Sequence, residues 1–230
     1  NYMLSKNQIK YINSLHQKKF RKEYGCFVAE GIKVVSDILS SELNTKSVFA
    51  TKEWLAVHKS EVPLQTLVTE IEEKELIRIS ELSTPNQVLS VVEIPKNTFN
   101  ASDIKNNFCF LLDDIRDPGN MGTIIRLADW FGITNIIAST DSADCFNGKV
   151  VQASMGSVAR VKVHYKDLSN IISDLKNEGV PILGSSLDGD NLYETSLPKS
   201  GAILLGNESK GVAESLLRMC DRNLFIPSFN

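Results

Sequence analysis

Three stretches of this chain place polar or glycine residues where a loop leaves an apolar run, which is where open α/β proteins bind ligands. The first is Leu111 to Gly132, LLDDIRDPGNMGTIIRLADWFG. An apolar run, Phe108 to Leu112, ends in two aspartates and turns through Asp117-Pro118-Gly119-Asn120. Ile124, Ile125, Leu127, Ala128 and Phe131 then follow at helical spacing. The pattern predicts strand, tight turn and helix N-terminus, with Asn120, Gly122 and Arg126 as its chemistry-bearing residues. Taken alone, Arg126 reads first as a solvated surface charge, the usual role of an arginine one turn into a helix. The second stretch is Leu204-Leu205-Gly206-Asn207-Glu208-Ser209-Lys210-Gly211, again between an apolar strand and a helix. Glycines 206 and 211 let a backbone turn sharply and approach a ligand closely. The frame is neither GxxxxGK[ST] nor GxGxxG, so neither phosphate-binding fingerprint applies. The third is Leu224-Phe225-Ile226-Pro227, a short strand stopped by proline, which can line a pocket or merely terminate.

The elements that must hold these stretches alternate along the chain. In the first part, helices are expected at Ser5–Leu15, Ile32–Leu39, Lys52–His58 and Glu70–Ile79. Strands are expected at Cys26–Ala29, Ser47–Ala50, Thr66–Val68 and Gln87–Ile94, giving a small α/β sandwich over residues 1–94. Pro95 to Asn107 is polar, lacks periodicity and reads as a linker. From 108 to 230, strands are expected at Phe108–Leu112, Asn135–Ser139, Val158–Val163, Pro181–Ser185, Ala202–Leu205 and Leu224–Ile226. Helices are expected at Met121–Phe131, Lys149–Met155, Leu168–Glu178 and Val212–Met219. This alternation calls for a mostly parallel sheet covered on both faces.

The totals narrow the field of functions. The chain of 230 residues is 42% hydrophobic and 23% charged, as ordinary globular proteins are. Nothing approaches the ~20 apolar residues that span a bilayer, and a cytoplasmic protein is expected. Cys26, Cys109, Cys145 and Cys220 are scattered, and with three isolated histidines they give no metal-ligand spacing. The net charge is −3, yet residues 1–35 carry Lys6, Lys10, Lys18, Lys19, Arg21, Lys22 and Lys33 against only Glu23 and Glu30. A basic end on an acidic body can grip phosphates locally, or serve only as a solvated face. Asn1-Tyr2, ahead of Met3, are read as additions outside the fold.

Taken jointly, DPGNMGTIIRLADWFG, LLGNESKGV and the closing FIP resemble the SpoU (TrmH-like) family of RNA ribose 2′-O-methyltransferases. KVVQASMGS (149–157), the Ser185-Ser186-Leu187-Asp188-Gly189 loop and the N-terminal GCFVAEGIKVV are similar to that family as well. The resemblance implies a SPOUT fold whose C-terminal half, 108–230, holds a deep trefoil knot. It also implies an RNA-binding extension at 1–94, S-adenosylmethionine as methyl donor, no metal, and a homodimer. Periodicity alone would give an ordinary doubly wound sheet. The resemblance assigns activation of the 2′-hydroxyl to Arg126, its orientation to Asn120, and a buttress for Arg126 or the RNA to Glu208. The cofactor would be held by Ser185, Leu187, Leu205, Gly206, Ile226 and Pro227, with Asn207 and Gly211 beside them. Lys18, Lys19, Arg21, Lys22 and the Glu30-Gly31-Lys33 surface are the RNA-binding candidates. Where relatives continue past IP with a glycine loop and a Ser-Leu-Asn segment, this sequence reads Ser228-Phe229-Asn230, so a C-terminal tail is expected beyond it. Ribosomal RNA is the expected substrate. Transfer RNA, a catalytically silent RNA-binding scaffold and a nucleotide-binding α/β enzyme without an RNA substrate are the alternatives.

Overall fold

The first helix begins where the sequence supplies a capping box. In α1 (Lys6–Ser14), Ser5 Oγ accepts from the Gln8 amide while the Gln8 side chain accepts from the Ser5 amide. The computed structural model describes residues 3–228, so the readings of Asn1-Tyr2 and of Phe229-Asn230 lie outside the described residues. The basic cluster after α1 is itself a helix, α2 (Lys18–Tyr24), closed by Gly25 at φ 61°. Then come β1 (Cys26–Glu30), α3 (Ile32–Leu39), β2 (Thr45–Ala50), α4 (Lys52–His58), β3 (Leu67–Glu70), α5 (Glu73–Ile79) and β4 (Val88–Glu93). The strands form a four-stranded sheet in the order β1-β4-β2-β3, with β2 and β3 parallel and the other pairs antiparallel. Successive β1 side chains feed opposite faces. Cys26 and Val28 pack with Ile12, Leu15, Leu76 and Ile79, whereas Phe27 and Ala29 pack with Val34 and Ile38.

The second unit is built on β5 (Phe108–Leu112), α6 (Pro118–Trp130), β6 (Asn135–Ala138), α7 (Gly148–Ala153), β7 (Lys162–Tyr165), α8 (Leu168–Asn177), β8 (Ile182–Asn191), β9 (Gly201–Leu205), α9 (Glu214–Leu217) and β10 (Arg222–Phe225). Its six strands run in the order β10-β8-β9-β5-β6-β7, every pair parallel. Leu111, Ile137, Ile172, Leu175, Ile182 and Leu204 are buried at the heart of one cluster. The expected α/β class with a parallel C-terminal sheet is what the chain adopts.

Four local readings change. The strand expected at Val158–Val163 is a tight helical turn, Ser157–Ala159, with β7 starting only at Lys162. The strand expected to stop at Ser185 continues to Asn191, because a register shift at Asn223/Leu224 lets β10 pair with Asp190 and Asn191. The last helix is one turn, Glu214–Leu217. The Pro95–Asn107 stretch contains a helical turn, Ala101–Ile104, whose Ile104 is buried in the second unit's core.

The unit boundaries are also discontinuous. Residues 144–160, which include α7, belong with 1–96, whereas 97–143 and 161–230 form the other unit. The link between two parallel strands ordinarily covers their own sheet. Here Val151 and Val158 are buried with Phe27, Val34, Ile38 and Val92, and Phe146 packs on Phe27 with ring centroids 4.6 Å apart. Gln152 Nε2 also donates to the Glu30 carbonyl at 2.7 Å.

Candidate active site

The ends of β8, β9 and β10 surround a cavity of about 530 Å³ in the second unit. Its wall includes Ser185 and Leu187 after the buried part of β8, Gly206 to Val212 after β9, and Phe225 and Ile226 at the end of β10. Six of the residues expected to hold a cofactor therefore come together: Ser185, Leu187, Gly206, Asn207, Gly211 and Ile226. Glu208 is on the same wall, while Leu205 and Pro227 adjoin it in sequence without lining it. Ser186, Asp188, Leu217, Leu224 and Phe225 line it too. Leu217 carried only a core-like helical signal, and Asp188 only its place in the Ser185–Gly189 loop.

Gly206 is required by the loop itself. A Cβ there would meet the Val212 amide nitrogen at 2.2 Å and the Gly211 carbonyl carbon at 2.3 Å. Gly211 sits at φ 69° and donates its amide to the Asn207 carbonyl at 2.7 Å, closing the turn. Asn207 spends its side chain on structure. Its Oδ1 accepts from the Ser209 and Lys210 amides at 3.0 and 3.2 Å, and its Nδ2 donates to the Asp114 carbonyl at 2.9 Å. Asp113 adds a second tie, accepting from the Ala213 amide at 2.8 Å. These bonds lace the loop after β9 to the loop entering α6. Asp114 itself holds a left-handed φ of 56°, supported by Ser139 Oγ on its amide.

Helix α6 starts as the sequence demands. Asp117 caps it by accepting from the Asn120 amide at 2.8 Å, Pro118 occupies the first turn, and Gly132 at φ 71° ends it. Met121, Gly122, Ile125 and Ala128 are buried, so Asn120 is half-exposed and Arg126 exposed. Neither is on the cavity wall. Among the described residues, the side chains of Asn120, Arg126 and Glu208 make no hydrogen bond or ion pair. The crevice between the ends of β5, β6 and β7, nearer the point where the strand order reverses, is smaller and acidic, with Asp113, Asp141 and Asp167.

Residues 107–230 match the model of the SpoU rRNA Methylase family, and residues 6–90 match an MRM3-like substrate binding domain. The chain belongs to the SpoU rRNA methylase family. The 23S rRNA (guanosine(2553)-2′-O)-methyltransferase RlmP of Bacillus subtilis is 31% identical over 227 residues, 98% of this chain and 89% of that protein. A TrmH-family protein from Porphyromonas gingivalis superposes with a TM-score of 0.90 at 35% identity, over 99% of this chain and 90% of its own. The AdoMet-bound rRNA methyltransferase of Sinorhizobium meliloti gives 0.87 at 30%, over 100% and 89%.

The basic candidates of this SpoU-family chain divide sharply. Lys18, Lys19 and Lys22 are exposed, and Lys33 is exposed with an ion pair to Asp37 at 3.3 Å. Arg21 is corrected from an RNA-facing group to a structural one, being 2% exposed. It donates through Nε and Nη2 to Asp144 at 3.1 and 2.8 Å, and through Nη1 to the Leu15 and His16 carbonyls. Glu30 is corrected too, since it is buried and accepts from Ser80 Oγ and the Glu81 amide. Burial raises its pKa above the usual carboxylate range, against the lowering effect of those two donors. Charge pattern alone gave no sign of either, because the partners lie up to 123 residues away. Among the described residues no cluster of three or more His, Cys, Asp or Glu could hold a metal, and no helix is long and apolar enough to cross a membrane.

Proposed function

We propose that this protein transfers a methyl group from S-adenosylmethionine to a ribose 2′-hydroxyl of ribosomal RNA, in the cytoplasm. The observation that carries the reading is the 530 Å³ cavity, which draws together three separate sequence stretches in a chain of this family. Its size is in the range of small-molecule sites. Leu187, Leu224, Phe225 and Ile226 offer an apolar wall for a purine, and Ser185, Ser186 and the loop backbone offer polar groups. Asp188 and Glu208 put carboxylates on the cavity wall, which would suit a ligand that carries a cationic sulfonium. When bound, that ligand supplies an electrophilic methyl group.

The chain's own task is to orient a ribose oxygen and ease the loss of its proton. Arg126 suits the second task as a cation. A guanidinium stays protonated in proteins, so a neutral arginine base at pH 7 is too costly to form. Arg126 therefore lowers the hydroxyl's pKa and leaves the proton to water or phosphate, while Asn120 orients the sugar. Because Arg126 lies off the cavity wall of its own chain, the reading includes a homodimer in which α6 faces a second copy. Leu127 and Trp130 on that helix and Phe131 at its end, exposed by 44, 84 and 69%, support it. The family's trefoil knot is part of the same proposal, in accord with β10 lying beyond β8 after a strand that lies on β8's other side. The unit of residues 1–96 and 144–160 holds the RNA, and the unit of 97–143 and 161–230 catalyses. Relatives named as 23S rRNA methyltransferases favour ribosomal over transfer RNA.

The test is methyl transfer from labelled S-adenosylmethionine to ribosomal RNA, followed by mapping of ribose methylation. Arg126→Lys keeps the charge and loses the planar fork. We expect it to lower kcat about 10²–10³-fold, as loss of an electrostatic donor does, with cofactor binding unchanged in calorimetry. Wild-type turnover in that variant would show that the planar fork plays no role, whereas no label transferred to any RNA by the wild type would overturn the reading.

A further inference from the structure

Once Arg21 is accounted for as a buried anchor, the rest of α2 presents an unusual surface. Phe20 and Tyr24, one helical turn apart, stack with centroids 6.2 Å apart and planes inclined by 17°. Tyr11 of α1 meets Tyr24 edge-on at 5.1 Å. That edge contact fixes the Tyr24 ring, yet Tyr24 remains 43% exposed, so part of a rigid aromatic surface faces solvent. The same two helices carry Lys6 and Lys10 on α1 and Lys18, Lys19 and Lys22 on α2, all exposed. None of the five pairs with a carboxylate among the described residues. Lys19 Nζ lies 5.5 Å from the centre of the Phe20 ring. Glu23 is the only acidic residue in either helix.

A solvated basic face needs no fixed aromatic surface. Unsatisfied positive charge around a presented π-surface is the chemistry that binds unpaired nucleotides: cations track the phosphates and a base stacks on the ring. In an A-form duplex the bases are stacked inside and cannot reach a side-chain ring. We propose that α1 and α2 form a stacking platform for a single-stranded segment of the RNA substrate, with a base on Tyr24 and phosphates on Lys18, Lys19 and Lys22. This deepens the RNA-methyltransferase reading and rests on it.

The test uses the full chain and fluorescence anisotropy with an unstructured oligoribonucleotide of about a dozen nucleotides, titrated at several salt concentrations. The same sequence annealed into a duplex is the competitor. Tyr24→Ala is expected to weaken single-strand affinity about 5- to 150-fold without changing the salt dependence. Tyr24→Phe keeps the ring and should restore the affinity. Replacing Lys18, Lys19 and Lys22 by Ala should flatten the salt dependence by about 0.7 for each phosphate no longer neutralised. Melting temperature and S-adenosylmethionine binding, measured on each variant, separate a lost platform from a lost fold. The platform is overturned if folded Tyr24→Ala binds the single strand as the wild type does, or if the duplex competes equally well. In that case persisting methyl transfer would leave the enzyme assignment standing, whereas wild-type protein that binds neither RNA form would remove both.

Discussion

A methyl group at position 206 has nowhere to go. Gly206→Ala would place a carbon 2.2 Å from the Val212 amide nitrogen, in a loop that the Asn207 and Asp113 hydrogen bonds hold in place. Overpacking of this kind costs about 1–3 kcal/mol. The relief available is to move the loop, so we expect calorimetry to show S-adenosylmethionine binding weakened about 5- to 150-fold, with the fold retained. Unchanged affinity would mean that the loop is not part of the cofactor site. Glu30 offers a second test at this scale, through pH. Burial raises its pKa in the fold, so the folded state holds the proton more tightly than the unfolded chain does. Its contribution to stability is then complete below the unfolded value, about 4.3, and is lost as pH rises toward the raised folded value. Glu30→Gln should therefore be at least as stable as wild type near pH 8, with the advantage shrinking toward pH 4 in denaturant titrations. A wild-type advantage that grows with pH would show that Ser80 and Glu81 outweigh desolvation. The glycine was legible in the sequence as a turn beside a buried strand, though its partner is the protein's own backbone rather than a ligand. Glu30 and Arg21 were not legible, because a charge in a basic stretch looks the same whether its counter-charge is solvent or a side chain far along the chain.

At the scale of elements, the informative piece is the segment 144–160. Its sequence reads as an ordinary connection between β6 and β7, and the apolar periodicity of Val150 and Val151 says that one face is buried without saying against what. The answer depends on Phe27, Val34, Ile38 and Val92, whose own pattern is equally silent about the partner. Helix α2 is not legible in the sequence for a related reason: seven residues with three lysines carry too little apolar repeat, and tertiary packing of Arg21 stabilises what propensity does not. The strands β5 and β9, by contrast, were plain as continuous apolar runs, since a central parallel strand is buried on both faces. The Arg21–Asp144 pair ties α2 to the segment from within the N-terminal unit. Asp144→Ala leaves a guanidinium that is 3% exposed without its counter-charge, a change that costs about 3–5 kcal/mol. We expect that loss in denaturant titration, with protease cutting within 144–160 well before it cuts β5 or β9. A loss below about 1 kcal/mol would mark the pair as no better than a surface one.

For the whole molecule, the question is where Arg126 acts. It projects from the exposed side of α6, off the wall of the cavity that its own chain forms, and shares that side with Leu127 and Trp130. A helix that buries Met121, Ile125 and Ala128 inward and still shows apolar groups outward has two faces to cover, and a monomer covers one. If a second copy covers the other, each cavity gains a guanidinium from its neighbour, and two defective chains can repair one another. Arg126→Ala keeps its cavity and lacks the cation. Gly206→Trp keeps the cation and blocks its cavity. Unfolded together and refolded, half the dimers should be hybrids in which one cavity is intact and faces an intact Arg126. The mixture should regain about a quarter of wild-type methyl transfer, although each parent alone is inactive. Trp130→Glu, which puts a charge in the apolar face, should convert the protein to monomers in sedimentation while leaving the cavity's S-adenosylmethionine affinity measurable. A mixture as inactive as its parents, from chains shown to form hybrids, would place Arg126 in its own chain's site and leave the outer face of α6 to some other partner.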